Sequence, residues 1–449
     1  MSPIDGTLSP EKLAQAFDQR VAAVSEACVA CGACFDACPV TGPAGVENAD
    51  GKEVTGALVD LLKGGEGNAA ATRFAEACIL SGECLSACDY GVNPRQMLLM
   101  ARTKLSHRNA DPKTRRRKGV QSFQDLARSV KILSRMQLSR DQLARLGQPV
   151  TQDDAKGSFQ SPDVVFYTGC NVLKTPHIAL LSLDILDHLG ISYQVLGGPS
   201  HCCGILQTRA GDLEGASRMG AQAIERFQSF GTREVISWCP SCHVQFTETH
   251  LPNQALVDDG DQLSMTPFML FLASCLDRLR AHLIHPVEMR LALHAHWGVD
   301  GVPDAARTLL RAVPGVELVD LQQPEIGLMS NSLRALPDLQ RQLHSDELEA
   351  ASAAGIDALV AVYHADHREL CAHERDYPFA ILNVLEIIAA SIGLHQDDHY
   401  KRLKLKQDVE TILLDVEPRL QDNGVRPEEA RAIIEAALLG DQPLPLKRD

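Results

Sequence analysis

From residue 161 onward the chain alternates short apolar, β-branched runs with longer stretches whose apolar residues recur at helical spacing. Strands are predicted at 164–167, 191–196 and 235–238, and helices at 178–188 and 213–230. Runs of four to six such residues separated by helical segments are the rhythm of an α/β domain. The rhythm then repeats. VVFYTGC at 164–170 aligns without gaps on LALHAHW at 291–297, and ISWCPSCH at 236–243 aligns on VAVYHADH at 360–367. CCG at 202–204 falls opposite EIG at 325–327. Two homologous lobes, 161–285 and 286–395, are the simplest account. Upstream, Phe123, Leu126, Ala127, Val130, Leu133 and Met136 recur on one helical face, while Arg128, Lys131, Arg135 and Arg140 fall off it. The tail, 396–449, reads as helical and as a packing or partner element without chemistry of its own.

Composition bounds the class. At about 150 residues per domain, 449 residues suggest roughly three domains. Charge separates along the chain. Residues 107–146 hold eleven Lys or Arg against three Asp, whereas the whole chain carries −15. Such a balance repels a phosphate backbone, so no nucleic-acid partner is expected. The basic stretch, 111–160, reads as a helical linker whose Arg115-Arg116-Arg117-Lys118 run is solvated. The longest apolar run, Pro267 to Leu276, is about half of the ~18 residues that span a bilayer. The opening MSPIDGTLSPEK lacks both a basic and an apolar leader segment, so the reducing cytoplasm is the expected compartment, with membrane contact only through a partner. Fourteen cysteines there point to metal rather than disulfides.

Seven of them lie between Cys28 and Cys88. Cys28, Cys31, Cys34 and Cys38 form C-x2-C-x2-C-x3-C followed by Pro39, the bacterial ferredoxin run. Four thiolates within eleven residues favour iron and sulfide over zinc, whose C-x2-C pairs are separated by a longer loop. A second copy is damaged. EACVACGACFDACP at 26–39 aligns on EACILSGECLSACD at 76–89, giving Cys78, Ser81, Cys84 and Cys88. By the crossover rule one 4Fe-4S cluster takes Cys28, Cys31, Cys34 and Cys88. The other takes Cys38, Cys78 and Cys84, with a corner at Ser81. That corner is lost to give a 3Fe-4S cluster, held by the serine oxygen, or left to solvent. A hydroxyl is a poor ligand for soft iron–sulfur chemistry, which favours the three-iron or a labile four-iron form.

The second block is Cys170-x31-Cys202-Cys203-x35-Cys239-x2-Cys242. Each part follows a predicted strand, and the carboxyl edge of an open α/β sheet is where ligands gather. One site can therefore collect five thiolates from distant positions, more than a cubane or a zinc ion needs. The second lobe carries Trp297, Glu325, Ile326, Tyr363 and Asp366 at the matching positions, with His294, His296, His364 and His367 nearby. These form a mononuclear metal site or proton donors, or are solvated remnants of drift. His243 is expected to hydrogen-bond a cluster ligand. Cys275 and Cys371 are expected to be small buried hydrophobes.

With its five-cysteine motif, the chain resembles the heterodisulfide reductase family. Residues 1–110 are similar to the small two-cluster ferredoxin-type subunit and 161–395 to the catalytic subunit. Iron–sulfur subunits of glycolate oxidase and anaerobic glycerol-3-phosphate dehydrogenase share this order. The resemblance implies that Cys170, Cys202, Cys203, Cys239 and Cys242 hold a non-cubane 4Fe-4S cluster that cleaves a disulfide. It also implies that the second lobe, stripped of its cysteines, holds none. The implied fold is an α-helical two-cluster domain, two α/β cysteine-rich lobes with the second degenerate, and a helical tail.

Neither G-x-G-x-x-G nor G-x-x-x-x-G-K-[ST] occurs, so no flavin or nucleotide of its own is expected. Electrons must then come from a flavoprotein or another electron-transfer subunit. They go to a disulfide or thiol, such as a lipoyl or thiol carrier, or pass through a relay serving a dehydrogenase and a quinone-linked membrane subunit.

Overall fold

The computed structural model describes residues 9–148, 150, 161–257 and 263–447. Residues 1–8 of the opening segment, and positions 149 and 151–160 of the basic stretch, lie outside the described residues.

The amino-terminal region is helical, and three of its helices, Gly51–Leu62, Ala69–Glu76 and Pro94–Asn109, begin where a short polar side chain satisfies free backbone N–H groups. Six come first: α1 (Pro10–Ala27), α2 (Ala33–Asp36), α3 (Gly51–Leu62), α4 (Ala69–Glu76), α5 (Glu83–Ser86) and α6 (Pro94–Asn109). Asp50 accepts from the Lys52 and Glu53 amides at the start of α3, and Asn93 accepts from Gln96 at the start of α6. Phe17, Leu58, Phe74 and Met97 fill the core between them, Phe35 meeting Phe74 edge-on at 5.0 Å. This core is continuous with Leu333 and Leu336 of the second lobe.

Both lobes are four-stranded parallel sheets. The first contains β1 (Val164–Tyr167), β2 (Tyr193–Leu196), β3 (Glu234–Ser237) and β4 (Ser264–Pro267) in the order 2-1-3-4. The second contains β5 (Met289–His294), β6 (Val316–Val319), β7 (Ala358–Ala361) and β8 (Ala380–Asn383) in the order 6-5-7-8, which is the same order. The ungapped alignments hold at the strand ends, since Tyr167 corresponds to His294 and Ser237 to Ala361. Tyr167 pairs with both Leu196 and Ser237, so three carboxyl ends lie level at one edge. In each sheet the strand order reverses beside the first strand, and the crevice at such a switch point is where α/β sheets bind ligands.

The first lobe adds α9 (Pro176–His188), α10 (Ile205–Ala210), α11 (Leu213–Gln228) and α12 (Pro240–Gln245), which follow α7 (Pro112–Gln137) and α8 (Arg140–Arg145). α9 buries residues around its whole circumference, as a helix enclosed on all sides must. The core around it runs on through Phe166 and Leu183 into Leu309 and Ile388 of the second lobe, so the lobes share one interior.

Helix α7 corrects the expectation of a connecting arm. The anticipated face packs, Val130 entering the core shared by the lobes while Ile132, Leu133 and Met136 enter the core formed with the tail. Arg128 and Lys131 are exposed, but Arg135 is half-buried. α7 is thus an internal spine. The tail packs against it through Ile412, Val416 and Leu420 of the helix Val409–Asp422. Cys371 is fully buried, its thiol pushed up to about 12 by desolvation, whereas Cys275 is only half-buried because it lies at the exposed turn after Phe268–Ser274.

One residue ties the three parts together. Arg95 of α6, 6% exposed, donates to both carboxylate oxygens of Glu248 in the first lobe, to Gly298 O (2.5 Å) of the second, and to Leu80 O (3.3 Å). Removing one partner of a buried ion pair leaves the other charge uncompensated. Arg95→Ala is therefore expected to lower unfolding stability by about 3–5 kcal/mol. Denaturant unfolding checks this, and a loss below about 1 kcal/mol, the range of an exposed pair, would contradict it.

Candidate iron–sulfur centres

The two amino-terminal cysteine loops share one backbone trace. Ala30 and Gly32 have φ of 54° and 88°, and their counterparts Leu80 and Gly82 have 63° and 86°. Left-handed backbone costs a non-glycine residue about 1–2 kcal/mol, so a leucine held there shows a loop shaped for more than its own packing. The damaged copy thus keeps the conformation of the intact one, with Ser81 in place of its second cysteine and 7% exposed.

Burial and neighbouring charge show which sulfurs lie close together. Burial first, and then the charges of Cys28, Cys31 and Cys88, push the Cys34 thiol up to about 12. Cys28, Cys31, Cys34 and Cys88 also line one small cavity closed by Val92 and Met97. Cys84 is raised to about 12 by burial, then by Cys78 and Cys38, and Cys38 likewise by burial and then Cys78. Cys28, Cys31, Cys34 and Cys88 thus lie together, as do Cys38, Cys78 and Cys84, with Cys34 also felt by Cys84. Ser81 lies between Cys78 and Cys84 in the chain. Its loop abuts the second lobe, where Leu328 N donates to Ile79 O at 3.2 Å. At the first set Cys31 is exposed, and Val29 and Tyr90 are more than half exposed.

In the first lobe, all five cysteines meet at the level edge of the sheet. Cys170 follows β1, Cys202 and Cys203 follow β2 through a turn at Pro199–His201, and Cys239 and Cys242 start α12 after β3. The Tyr167 hydroxyl donates to His201 O (2.7 Å), and Gly198 N donates to Gly169 O (2.8 Å), tying the loops together. Each sulfur is in hydrogen-bonding reach of the next, from Cys170 to Cys202, Cys203, Cys242 and Cys239. None of the five residues is more than 4% exposed. Hydrogen bonds from Cys170 and Cys203 pull the Cys202 thiol down to about 4, and one from Cys242 lowers Cys239. The same chain of hydrogen bonds, with burial, raises Cys170, Cys203 and Cys242. Five convergent buried sulfurs suit soft iron–sulfur ligation, in which metal displaces the thiol protons.

Around this centre His243 takes a different partner from the one expected. It meets Ser237 Oγ (3.1 Å), not a cysteine sulfur, because the turn of α12 aims its ring back at β3. Burial keeps it neutral, at about 4. His250, which carries no spacing signal in the sequence, meets Cys203 O at 2.8 Å. Beside the cysteine loops lies a cavity of about 520 Å3 whose walls include Asn171, Ile205 and Ser241, chain neighbours of the cysteines, though none of the five cysteines itself. Lys174, Arg209, Arg334, Arg341 and Arg368 also line it, against Asp441 of the tail. Asp441 binds Arg368 (3.1 Å) and Arg334, so the tail forms part of the cavity wall. Burial, then the charge of Arg368, brings the Lys174 ammonium down to about 7.

The second lobe divides the histidines that the sequence groups together. His294 and His296 share one cluster with Asp366. His367 turns the other way and bonds Asp398 (2.6 Å) beside His177, and His364 is buried apart from both. Trp297 is exposed with Arg307 over its ring at 5.7 Å, and Glu325 pairs with the same Arg307. Ile326 lends its carbonyl to His296, and Tyr363, opposite Cys239 in the repeat, sits in the same small cavity as Cys239 itself.

Comparison with known proteins agrees with this geometry. Residues 24–123 match a family described as a 4Fe-4S dicluster domain, and residues 164–247 one described as a cysteine-rich domain. The chain thus carries a 4Fe-4S dicluster domain followed by a cysteine-rich domain. It is homologous to a subunit of dihydromethanophenazine:CoB–CoM heterodisulfide reductase. The Methanosarcina barkeri and Methanosarcina mazei proteins are each 22% identical to it, over 71% of this chain and 78% of theirs. That of Methanosarcina acetivorans is 21% identical over the same shares. No solved structure matches it significantly. Among the described residues, no helix is long and apolar enough to cross a membrane.

Proposed function

We propose that this chain is the iron–sulfur subunit of a heterodisulfide reductase-like complex that reduces an anionic disulfide or oxidises the corresponding thiols. When bound, clusters at the two amino-terminal cysteine sets would supply one-electron transfer, and a non-cubane cluster on Cys170, Cys202, Cys203, Cys239 and Cys242 would supply cleavage of the sulfur–sulfur bond. Two electrons and two protons convert one disulfide into two thiols. The electrons come from a flavoprotein or another electron-transfer subunit, docked where Cys31, Val29 and Tyr90 are exposed. The loop around Ser81, which abuts the lobes, is the inner station.

The observation that carries this reading is the cationic cleft beside the five sulfurs. Arg209 and Arg334 attract and orient a carboxylate, sulfonate or phosphate on the substrate. Lys174, near neutral pKa, gives up a proton from Nζ to a departing thiolate. A lipoyl or thiol carrier would be reached through the same opening. The alternative is a relay for a flavoprotein dehydrogenase linked to quinone, and the burial of all five sulfurs favours it.

One titration distinguishes them. Bis(2-carboxymethyl) disulfide, which is anionic, and bis(2-hydroxyethyl) disulfide, which is neutral, are added separately to the half-reduced, anaerobic protein while its paramagnetic spectrum is recorded. The disulfide-reductase reading predicts a new signal with the anionic compound, whose half-saturating concentration rises about tenfold in Arg209→Ala, the worth of roughly 1.4 kcal/mol. A spectrum indifferent to both disulfides and to thiols would leave only the relay.

A further inference from the structure

We propose that His294, His296 and Asp366 bind a divalent metal ion of the zinc or ferrous class, in the second lobe, at the place where the first lobe gathers its sulfurs. β5 and β7 are the counterparts of β1 and β3, so the group occupies the switch point of its own sheet. His294 ends β5 and His296 lies two residues on, which puts both on one face of the extended chain. Asp366 lies in the first turn of the helix His364–Leu370 after β7.

The donor atoms of the three side chains all lie within 4.8 Å of one another. His296 Nε2 is 3.5 Å from Asp366 Oδ1, the edge of a tetrahedron with arms of about 2.1 Å. His296 Nε2 is also a buried nitrogen without a hydrogen-bond partner, on a residue 3% exposed. Such an orphan is costly unless something else satisfies it.

The outer groups are those that metal-bound histidines use. His296 donates from Nδ1 to Ile326 O (2.8 Å), and His294 Nδ1 is held by the Glu347 carboxylate (2.5 Å). His296 Nε2 is thereby left toward Asp366, and His294 Nε2 lies 3.3 Å from Ser330 Oγ, which a bound ion would displace. Asp366 is oriented by the amides of Ser330 (2.8 Å) and Tyr363 (3.3 Å). Three protein donors leave a coordination position free, and a cavity of about 340 Å3 lined by both histidines, His344 and Glu347 opens beside them. Two imidazoles and a carboxylate suit zinc or non-haem iron, not a thiophilic ion. In the other buried cluster, around His177 and His367, His367 Nε2 is already hydrogen-bonded to Asp398 (2.6 Å).

The test uses the full-length, iron-loaded protein under anaerobic conditions, equilibrated with excess Zn2+ and desalted. Zinc exceeds ferrous iron in affinity for such donors, so it fills the site whichever ion is native. The expected result is about one retained zinc per chain whose X-ray absorption shows only nitrogen or oxygen neighbours at about 2.0–2.1 Å. His296→Ala and Asp366→Asn should each lose that zinc while cluster iron and melting temperature are kept, and His367→Ala should retain it. Zinc with sulfur neighbours at about 2.3 Å, zinc retained by both site variants, or no retained zinc in the wild type would each overturn the proposal.

Discussion

Gly169→Ala is expected to empty the five-cysteine centre, lowering iron by about four atoms per chain while the amino-terminal clusters persist. Gly169 has φ +72°, a conformation in which any side chain is strained. A Cβ there would lie 2.9 Å from Cys239 Cβ and 3.1 Å from Cys242 Sγ. Both neighbours belong to the first turn of α12, packed under β3 and unable to withdraw without moving the strand end. The loop must shift instead, and it carries Cys170. Iron analysis and the spectra of the remaining clusters check this. A variant with its full iron content would mean that the loop is not part of the centre.

Ser81→Cys is expected to act in the opposite direction. The loop around Ser81 already holds the two left-handed residues of the intact copy, at Leu80 and Gly82. The substitution restores a thiolate where the backbone is pre-shaped for one, so the incomplete cluster should become an ordinary 4Fe-4S cubane with about one more iron per chain. Loss of a three-iron paramagnetic signal on oxidation is the readout. An unchanged spectrum would show that the open corner is elsewhere.

The two sites are unequally legible in the sequence. Strands at 164–167 and 235–238 stand out because they are short, wholly or largely buried and β-branched, and the cysteines because four fall in eleven residues or lie behind strand ends. The repeat locates the second lobe's strands through register alone. What escapes is anything assembled from remote side chains without a spacing rule. Lys174, Arg209, Arg334 and Arg368 converge only because α10, the second lobe and the tail close on one cleft. Glu347, which holds His294, lies on the helix Pro337–Ala354 as an ordinary polar position. The histidines divide for a related reason. His294 and His296 share a strand face, but His367 lies a helical turn beyond the sheet edge and faces α9. The apolar face of α7 is legible, but its spacing does not say that Val130 enters one core while Leu133 and Met136 enter another.

The proposed function depends on distant thiols converging to hold iron and sulfide at three centres. Iron and acid-labile sulfide counted per chain, on protein purified without oxygen, test that convergence most directly. About eleven or twelve irons are expected, distributed as two ferredoxin-type clusters and one of unusual symmetry. About seven or eight irons with free thiols at Cys170, Cys202, Cys203, Cys239 and Cys242, or zinc in place of iron, would contradict it.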